Sequence, residues 1–252
     1  MCTASNYITE NHYFGRNFDY EISYNERVTV TPRNYEFEFR KIESIKSHYA
    51  MIGIAAGIDG YPLYYDACNE KGLAIADLMA GDTVQTHQNT SKPDLTTTAA
   101  IPYMLKNAAT VDEALKLLEG IDMHSDIGSA HHYAMADATG KRVVVEYVDN
   151  KMVVVESPAV ANHYLCEQKL NAGLEPGDKR YDMLCERYAE NNGVMNMEQL
   201  TNAIASVSQP QREGFLGTAW TMVMNLKHPS VTYYSQRHYN KPFCFSLKST
   251  AE

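Results

Sequence analysis

The first 21 residues, MCTASNYITENHYFGRNFDYE (Met1–Glu21), hold two short runs, ASNYIT and HYFGRNFDY, in which β-branched and aromatic residues alternate or cluster, with turn residues between them. They read as strands, and the first begins next to Cys2. Methionine followed by a small residue is normally trimmed, so Cys2 is expected to become the N-terminus and to carry a thiol and a free amine on one residue. Arg16 and Asp19 sit together in the second run.

Moving outward, RVTVTP and EFEFRK read as further strands of the same kind. YAMIGIAA and GLAIADLM are short, nearly continuous apolar runs next to glycine, as expected of strands covered on both faces. Helices are expected from about Thr97. TVDEALKLLEG carries a capping box, Thr110 with Glu113, an apolar stripe and a stop at Gly120. HHYAMAD, RVVVEYV and KMVVVES then form a meander with DATGK and DNK as turns. A second helical block spans Pro176–Asn192 and Asn196–Val207, where Asn196 and Gln199 suggest another box. TAWTMVMNL, SVTYYSQ and FCFSL close the chain as strands.

Strands, two helices, strands, two helices, strands is the order that two packed sheets with helices on their outer faces would produce, because each helix pair buries its apolar stripe on a sheet. A four-layer αββα sandwich of the α+β class is therefore expected, with a two-layer α+β domain as its competitor. No internal repeat, low-complexity segment or long linker divides the 252 residues, so one domain covering 1–252 is expected.

Composition narrows the function. The 44% hydrophobic and 21% charged residues are those of a globular protein, and 22 basic against 31 acidic side chains leave a net charge of −9. That balance speaks against a nucleic-acid or anionic-membrane surface and for a small-molecule substrate. No apolar run reaches the length of a membrane span and the polar start has no apolar signal region, so a cytoplasmic protein is expected. The five cysteines form no CxxC pair, and the tandem His131 and His132 belong to no familiar ligand spacing. Neither a metal nor an organic cofactor is expected, and Cys68, Cys166, Cys185 and Cys244 read as ordinary buried thiols.

A thiol with a pKa of about 8.5 and an α-amine at about 7.7–8.0 can share a proton near neutral pH. The amine can take the thiol proton and later return it to a leaving amine, so Cys2 could be nucleophile and base at once. Arg16 could stabilise the thiolate by charge, and Asp19 could hold or orient the amine. From spacing alone the same residues read rather as a first-strand cysteine beside an Arg16–Asp19 surface ion pair.

The stretch MCTASNYITENHYFGRNFDYE, with TVTPRNYEFEFR, YAMIGIAA, YPLYYDACNEKGLAIADL and ATVDEALKLL in order behind it, resembles the choloylglycine hydrolase family of bile salt hydrolases and penicillin V acylases. The resemblance is dense over roughly the first 120 residues. It implies an N-terminal-nucleophile (Ntn) hydrolase of αββα fold that cleaves linear carbon–nitrogen amide bonds without a cofactor. By that resemblance Cys2 is the nucleophile, Arg16 the arginine beside the thiolate and Asp19 the active-site aspartate. VANHYL would supply an oxyanion asparagine, Asn162, and GDKRY a second active-site arginine, Arg180; otherwise Asn162 caps a turn and Arg180 is a solvated first-turn residue. Met79 stands where the family usually has Asn or Tyr, leaving its backbone N–H for the oxyanion. Penicillin V and small N-acyl amides are expected to rank above conjugated bile salts as substrates. An acyltransferase, or a binding protein on the same scaffold, is the alternative, and a homo-oligomer is compatible with the family.

Overall fold

The structure is a computed structural model that describes residues 2–7, 12–58, 61–80, 85–166 and 179–247. Among these, strands β1 (Cys2–Tyr7), β2 (Tyr13–Tyr20), β12 (Ala159–Val160), β13 (Gly217–Asn225), β14 (Ser230–Ser235) and β15 (Phe243–Ser246) form one antiparallel sheet in the order β12-β1-β2-β13-β14-β15. A second antiparallel sheet runs β11-β10-β9-β6-β5-β4-β3, from β3 (Arg27–Thr31), β4 (Met51–Ile58), β5 (Tyr61–Asn69), β6 (Ala74–Met79), β9 (His131–Ala136), β10 (Arg142–Val148) and β11 (Lys151–Val155). A short parallel pair, β7 (Asp94–Thr96) with β8 (Asp122–His124), stands apart.

Side-chain alternation turns these sheets into layers. Phe14, Phe18, Trp220, Met222 and Met224 of the first sheet pack against Ile52, Ile54, Ala74, Ala76 and Leu78 of the second, making the core between the sheets. The opposite face of the second sheet, with Ile75, Tyr133 and Met135, buries helices α1 (Ala100–Leu105) and α2 (Val111–Glu119) through Ile101, Met104 and Leu118. Helices α3 (Lys179–Glu190) and α4 (Met197–Ser206) cover the outer face of the first sheet through Leu184, Leu200 and Ile204. The result is the four-layer αββα sandwich, and the two-layer alternative is excluded. Close helix packing explains Gly15: a Cβ there would lie 3.0 Å from Ile204.

Both capping signals are used. Asn196 and Gln199 close a complete box at α4. At α2 Thr110 accepts from the Glu113 N–H, while Glu113 reaches back to the Ala109 N–H, one residue beyond the usual partner. Two expectations are corrected, and one strand joins those read from the sequence. EFEFRK is not a strand: only an isolated bridge, Phe37 to Ile45, forms, and Tyr35, Phe37 and Phe39 pin a loop onto the helix-side core instead of presenting a backbone to a sheet edge. Strand β5 interposes between β4 and β6, although Pro62 and Asp66 interrupt its apolar pattern. Of the cysteines expected to be buried thiols, Cys68 and Cys166 are buried, Cys185 is half-buried and Cys244 is exposed. The segment from Pro176 to Asp178, where the second helical block was expected to begin, lies outside the described residues, as do Ile8 and Thr9.

Candidate active site

Register brings the first residues of the chain together. In the β1–β2 pair Cys2 faces Phe18 and Ala4 faces Arg16, so the cysteine and arginine side chains are diagonal neighbours on the face between the sheets. Arg16 Nη2 donates to Cys2 Sγ at 3.3 Å. The guanidinium is fully buried and enters the other sheet where β5 and β6 part. Their ladder ends at Asp66–Ala76, and where the next pair of hydrogen bonds would fall Arg16 donates instead to the carbonyls of Tyr65 at 2.5 Å and Asp77 at 2.6 Å. Asp66 adds a carboxylate at 3.0 Å, and the Phe18 and Trp220 rings each stand 5.3 Å from the guanidinium carbon. Burial pushes the Asp66 carboxyl up to about 6 against the opposing pull of Arg16. For Arg16 burial works the other way, yet the Cys2 and Asp66 charges raise its pKa and hold it cationic.

Asp19 occupies the opposite face of β2, so the expected surface ion pair with Arg16 does not form. Its carboxylate accepts from the Thr218 hydroxyl at 2.5 Å and from Arg180 Nη1 at 3.0 Å. Burial raises its pKa, opposed by Thr218, Arg180 and the positive charge of the chain terminus. Arg180 is not solvated either. It is 6% exposed, and besides Asp19 it donates to the Cys2 carbonyl at 3.2 Å and to Asn162 Oδ1 at 3.1 Å.

Asn162 arrives through the β12–β1 pairing, whose register, Ala4 opposite Val160, carried on by two residues sets Asn162 across from Cys2. Its Oδ1 accepts from the Cys2 backbone nitrogen at 2.6 Å and its Nδ2 donates to the Met79 carbonyl at 2.6 Å. One of the two amide hydrogens remains for another acceptor. Because Ala80 pairs with Ala130 by a ladder hydrogen bond, the preceding Met79 turns its N–H and C=O away from β9, toward this gap. Glu146 holds the Asn162 segment from below by accepting from the Leu165 and Cys166 N–H groups at 2.8 and 2.9 Å, with His132 beside it at 3.4 Å. Burial would raise the Glu146 pKa, but these hydrogen bonds and the His132 charge lower it.

Cys2, Arg16, Asp77 and Met79 share a cavity of about 500 Å³ whose remaining wall includes Phe18, Tyr20, Tyr24, Tyr64, Tyr65 and His131. The six residues singled out in the sequence are thus brought to one place. Sequence reasoning missed Asp66, Asp77, Thr218 and His131; an aspartate inside the buried strand YPLYYDACN is the signal that could have found the first. Among the described residues no group of three or more His, Cys, Asp or Glu could hold a metal.

A four-layer αββα sandwich whose first strand opens on a cysteine, hydrogen-bonded to a buried arginine, has the fold of the N-terminal-nucleophile class. Within it, the sequence model of the linear amide C–N hydrolases of the choloylglycine hydrolase type matches residues 2–163, and the chain belongs to that family. It is 42% identical over 165 residues to a bile salt hydrolase/transferase of Lactiplantibacillus plantarum, covering 63% of this chain and 51% of that protein. It is 32% identical over 103 residues to a penicillin V acylase of Pectobacterium atrosepticum, covering 36% of this chain and 27% of that one. The chain thus spans about half the length of the curated bile salt relatives it matches. A crystal structure of a C2A mutant conjugated bile acid hydrolase from Clostridium perfringens superposes with a TM-score of 0.82 at 21% identity, covering 98% of this chain and 92% of that one. The penicillin V acylase of Agrobacterium tumefaciens follows at 0.77 and 22%, covering 98% and 87%. The family match therefore reaches Asn162, past the densest motifs, and the likeness of fold reaches the rest.

Proposed function

We propose that the chain is a cysteine-nucleophile hydrolase of linear amide C–N bonds, with Cys2 as the terminal residue once Met1 is lost. The observation that carries this reading is the 3.3 Å contact of Arg16 with the Cys2 sulfur, beside a Cys2 nitrogen held by Asn162. The freed α-amine takes the thiol proton, and Arg16 stabilises the thiolate. Sulfur attacks the amide carbonyl carbon, forming the C–S bond while the π electrons move to oxygen. The remaining Asn162 amide hydrogen and the Met79 N–H receive that oxyanion. Its collapse breaks the C–N bond, and the α-ammonium returns its proton to the departing amine. Water then hydrolyses the thioester by the same route. Asp19 and Arg180 are positioning residues, holding the Cys2 carbonyl, its amine and Asn162 in register. The steps invoke no metal or organic cofactor.

The acyl group enters the tyrosine-lined cavity, whose volume of about 500 Å³ suits a small organic group. With Met79 where bile salt hydrolases usually have asparagine, penicillin V and flexible N-acyl amides are expected to show higher kcat/KM than glyco- and tauro-conjugated bile salts in the same buffer. The related hydrolase/transferase names favour a second reading, in which an amine replaces water and the product is a new amide. We place the enzyme in the cytoplasm as a single domain acting on a small amide.

Intact-mass measurement should find active protein lacking Met1, and Cys2→Ala should abolish turnover while the circular dichroism spectrum is unchanged. Full activity with Met1 retained would sink the amine-as-base mechanism, and turnover by Cys2→Ala would sink the whole reading.

A further inference from the structure

Asp77, Ser129 and His131 have no part in that reaction, yet all three line the cavity that Cys2 enters. His131 Nδ1 lies 2.7 Å from Asp77 Oδ1, and its Nε2 lies 2.9 Å from the Ser129 hydroxyl. A carboxylate can only accept, so Nδ1 carries a hydrogen and the neutral ring presents its Nε2 lone pair to Ser129. His131 is buried, and the Ser129 hydroxyl, half-buried, is the end of the relay that meets the cavity. The serine is held in place, since the Ser125 hydroxyl donates to the Ser129 carbonyl at 2.7 Å. Such a relay in an otherwise largely apolar wall is more than packing demands, because leucine or valine would fill the space without desolvating a carboxylate.

We propose that the Asp77–His131–Ser129 relay is a subsite for the acyl group, accepting a neutral oxygen, hydroxyl or carbonyl, carried on the acyl chain away from the scissile amide. The proposal rests on the hydrolase reading for the word acyl, but not for the binding itself. It is a recognition site and not a second nucleophile, since the donors suited to an oxyanion, Asn162 and the Met79 N–H, gather at Cys2. A neutral group is specified by charge. The groups that face His131 are Asp77 from β6 and Asp126 from the turn before β9, the latter tied to the Thr97 and Thr98 hydroxyls, so even a protonated His131 leaves the wall without positive excess. Arg16, behind Asp77, is matched by Asp66 and Cys2.

Protonation decides which way Ser129 points. Burial lowers the His131 pKa, but the charge and hydrogen bond of Asp77, helped by Asp126, outweigh it and raise the value above the ordinary one. With His131 charged, Nε2–H donates to Ser129, whose own hydrogen is released to a ligand. With His131 neutral, that hydrogen returns to Nε2 and Ser129 can only accept. A ligand hydroxyl satisfies both states, whereas a ketone or ether satisfies only the first.

The test is calorimetric binding of matched N-acyl glycines to the Cys2→Ala protein, in a homologous series with plain, hydroxylated, methoxylated and carboxylated chain ends. The hydroxylated chain of the best length should bind roughly twofold to tenfold more tightly than the plain one, the worth of one net hydrogen bond. The carboxylated chain should show no such gain. Ser129→Ala should erase the preference. The methoxy preference should fade as pH rises through the His131 titration, and His131→Gln should abolish that pH dependence. Equal affinity of plain and hydroxylated chains at every length, a preference retained in Ser129→Ala, or an unaltered methoxy pH profile in His131→Gln would each overturn the subsite. If the preference is present but the protein with Cys2 intact cleaves none of the series, the subsite stands and the hydrolase reading is at fault.

Discussion

Two buried arginines approach Cys2 from opposite sides of the first sheet, and they differ in what they hold. Arg16 lies between the sheets and touches the sulfur; its other partners are Asp66 and two carbonyls of the second sheet. Arg180, in the first turn of α3, reaches the sheet from the helix side and touches the Cys2 carbonyl; its other partners include Asp19 and Asn162. The first arginine supplies charge to the nucleophile and ties the two sheets together. The second supplies no charge to the sulfur but fixes the backbone and the amide around it. Each neutralises a carboxylate that is wholly buried, so neither can be removed without stranding a charge.

Removing Arg16 should have the largest effect. Arg16→Leu leaves Asp66 buried alone and should cost about 3–5 kcal/mol of stability in denaturant titrations, together with nearly all turnover. Adding Asp66→Asn should recover much of the stability and none of the activity; recovery of both would show that the arginine serves only the fold. Asn162→Ala comes next, with a hundred- to thousandfold fall in kcat and little change in melting temperature. Normal turnover there would remove Asn162 from the oxyanion. Arg180→Leu should lower kcat on the order of ten- to a hundredfold through misplacement of Cys2 and Asn162. If it abolished turnover as fully as Arg16→Leu, the division between charge and position would fail.

The smallest effect sharpens the contrast through pH. Asp66 titrates at about 6 in the folded protein, above its unfolded value near 4, so the folded state holds the extra proton and is favoured at acid pH. That contribution is present in full below about 4 and is lost as pH rises through about 6. Glu146 is shifted the other way, and its contribution is lost as pH falls through its lowered value. Melting temperatures across this range should therefore become flatter on the acid-to-neutral side in Asp66→Asn, by a few degrees. An unchanged profile would mean that Arg16 keeps Asp66 ionised throughout.

Much of this arrangement is legible along the chain. The alternating runs of β1 and β2, the meander of β9 to β11 and both capped helices follow from local pattern, because alternation, turn chemistry and caps act over a few residues. EFEFRK shows the limit. Its alternation is real, but a strand also needs a neighbouring backbone along its length, and here Phe37 alone pairs, with Ile45. Strand β5 goes unread along the chain: Pro62 and Asp66 look like interruptions until β4 and β6 are seen to flank it and Arg16 is seen to meet the aspartate.

By itself, then, the sequence determined the layers, written in short-range pattern, and, through its resemblance to a family, six of the residues that gather at Cys2. Strand alternation alone sets Arg16 and Asp19 on opposite faces of β2, but it could not say what each would meet, because the two faces become different environments only once each is covered by another layer. Nor could it join Asp19 to Arg180, or Asp77 to His131 and Ser129. Those pairs are separated by long stretches of chain, and their energies depend on distance and burial, which the register of two sheets and the seating of helices on them alone decide.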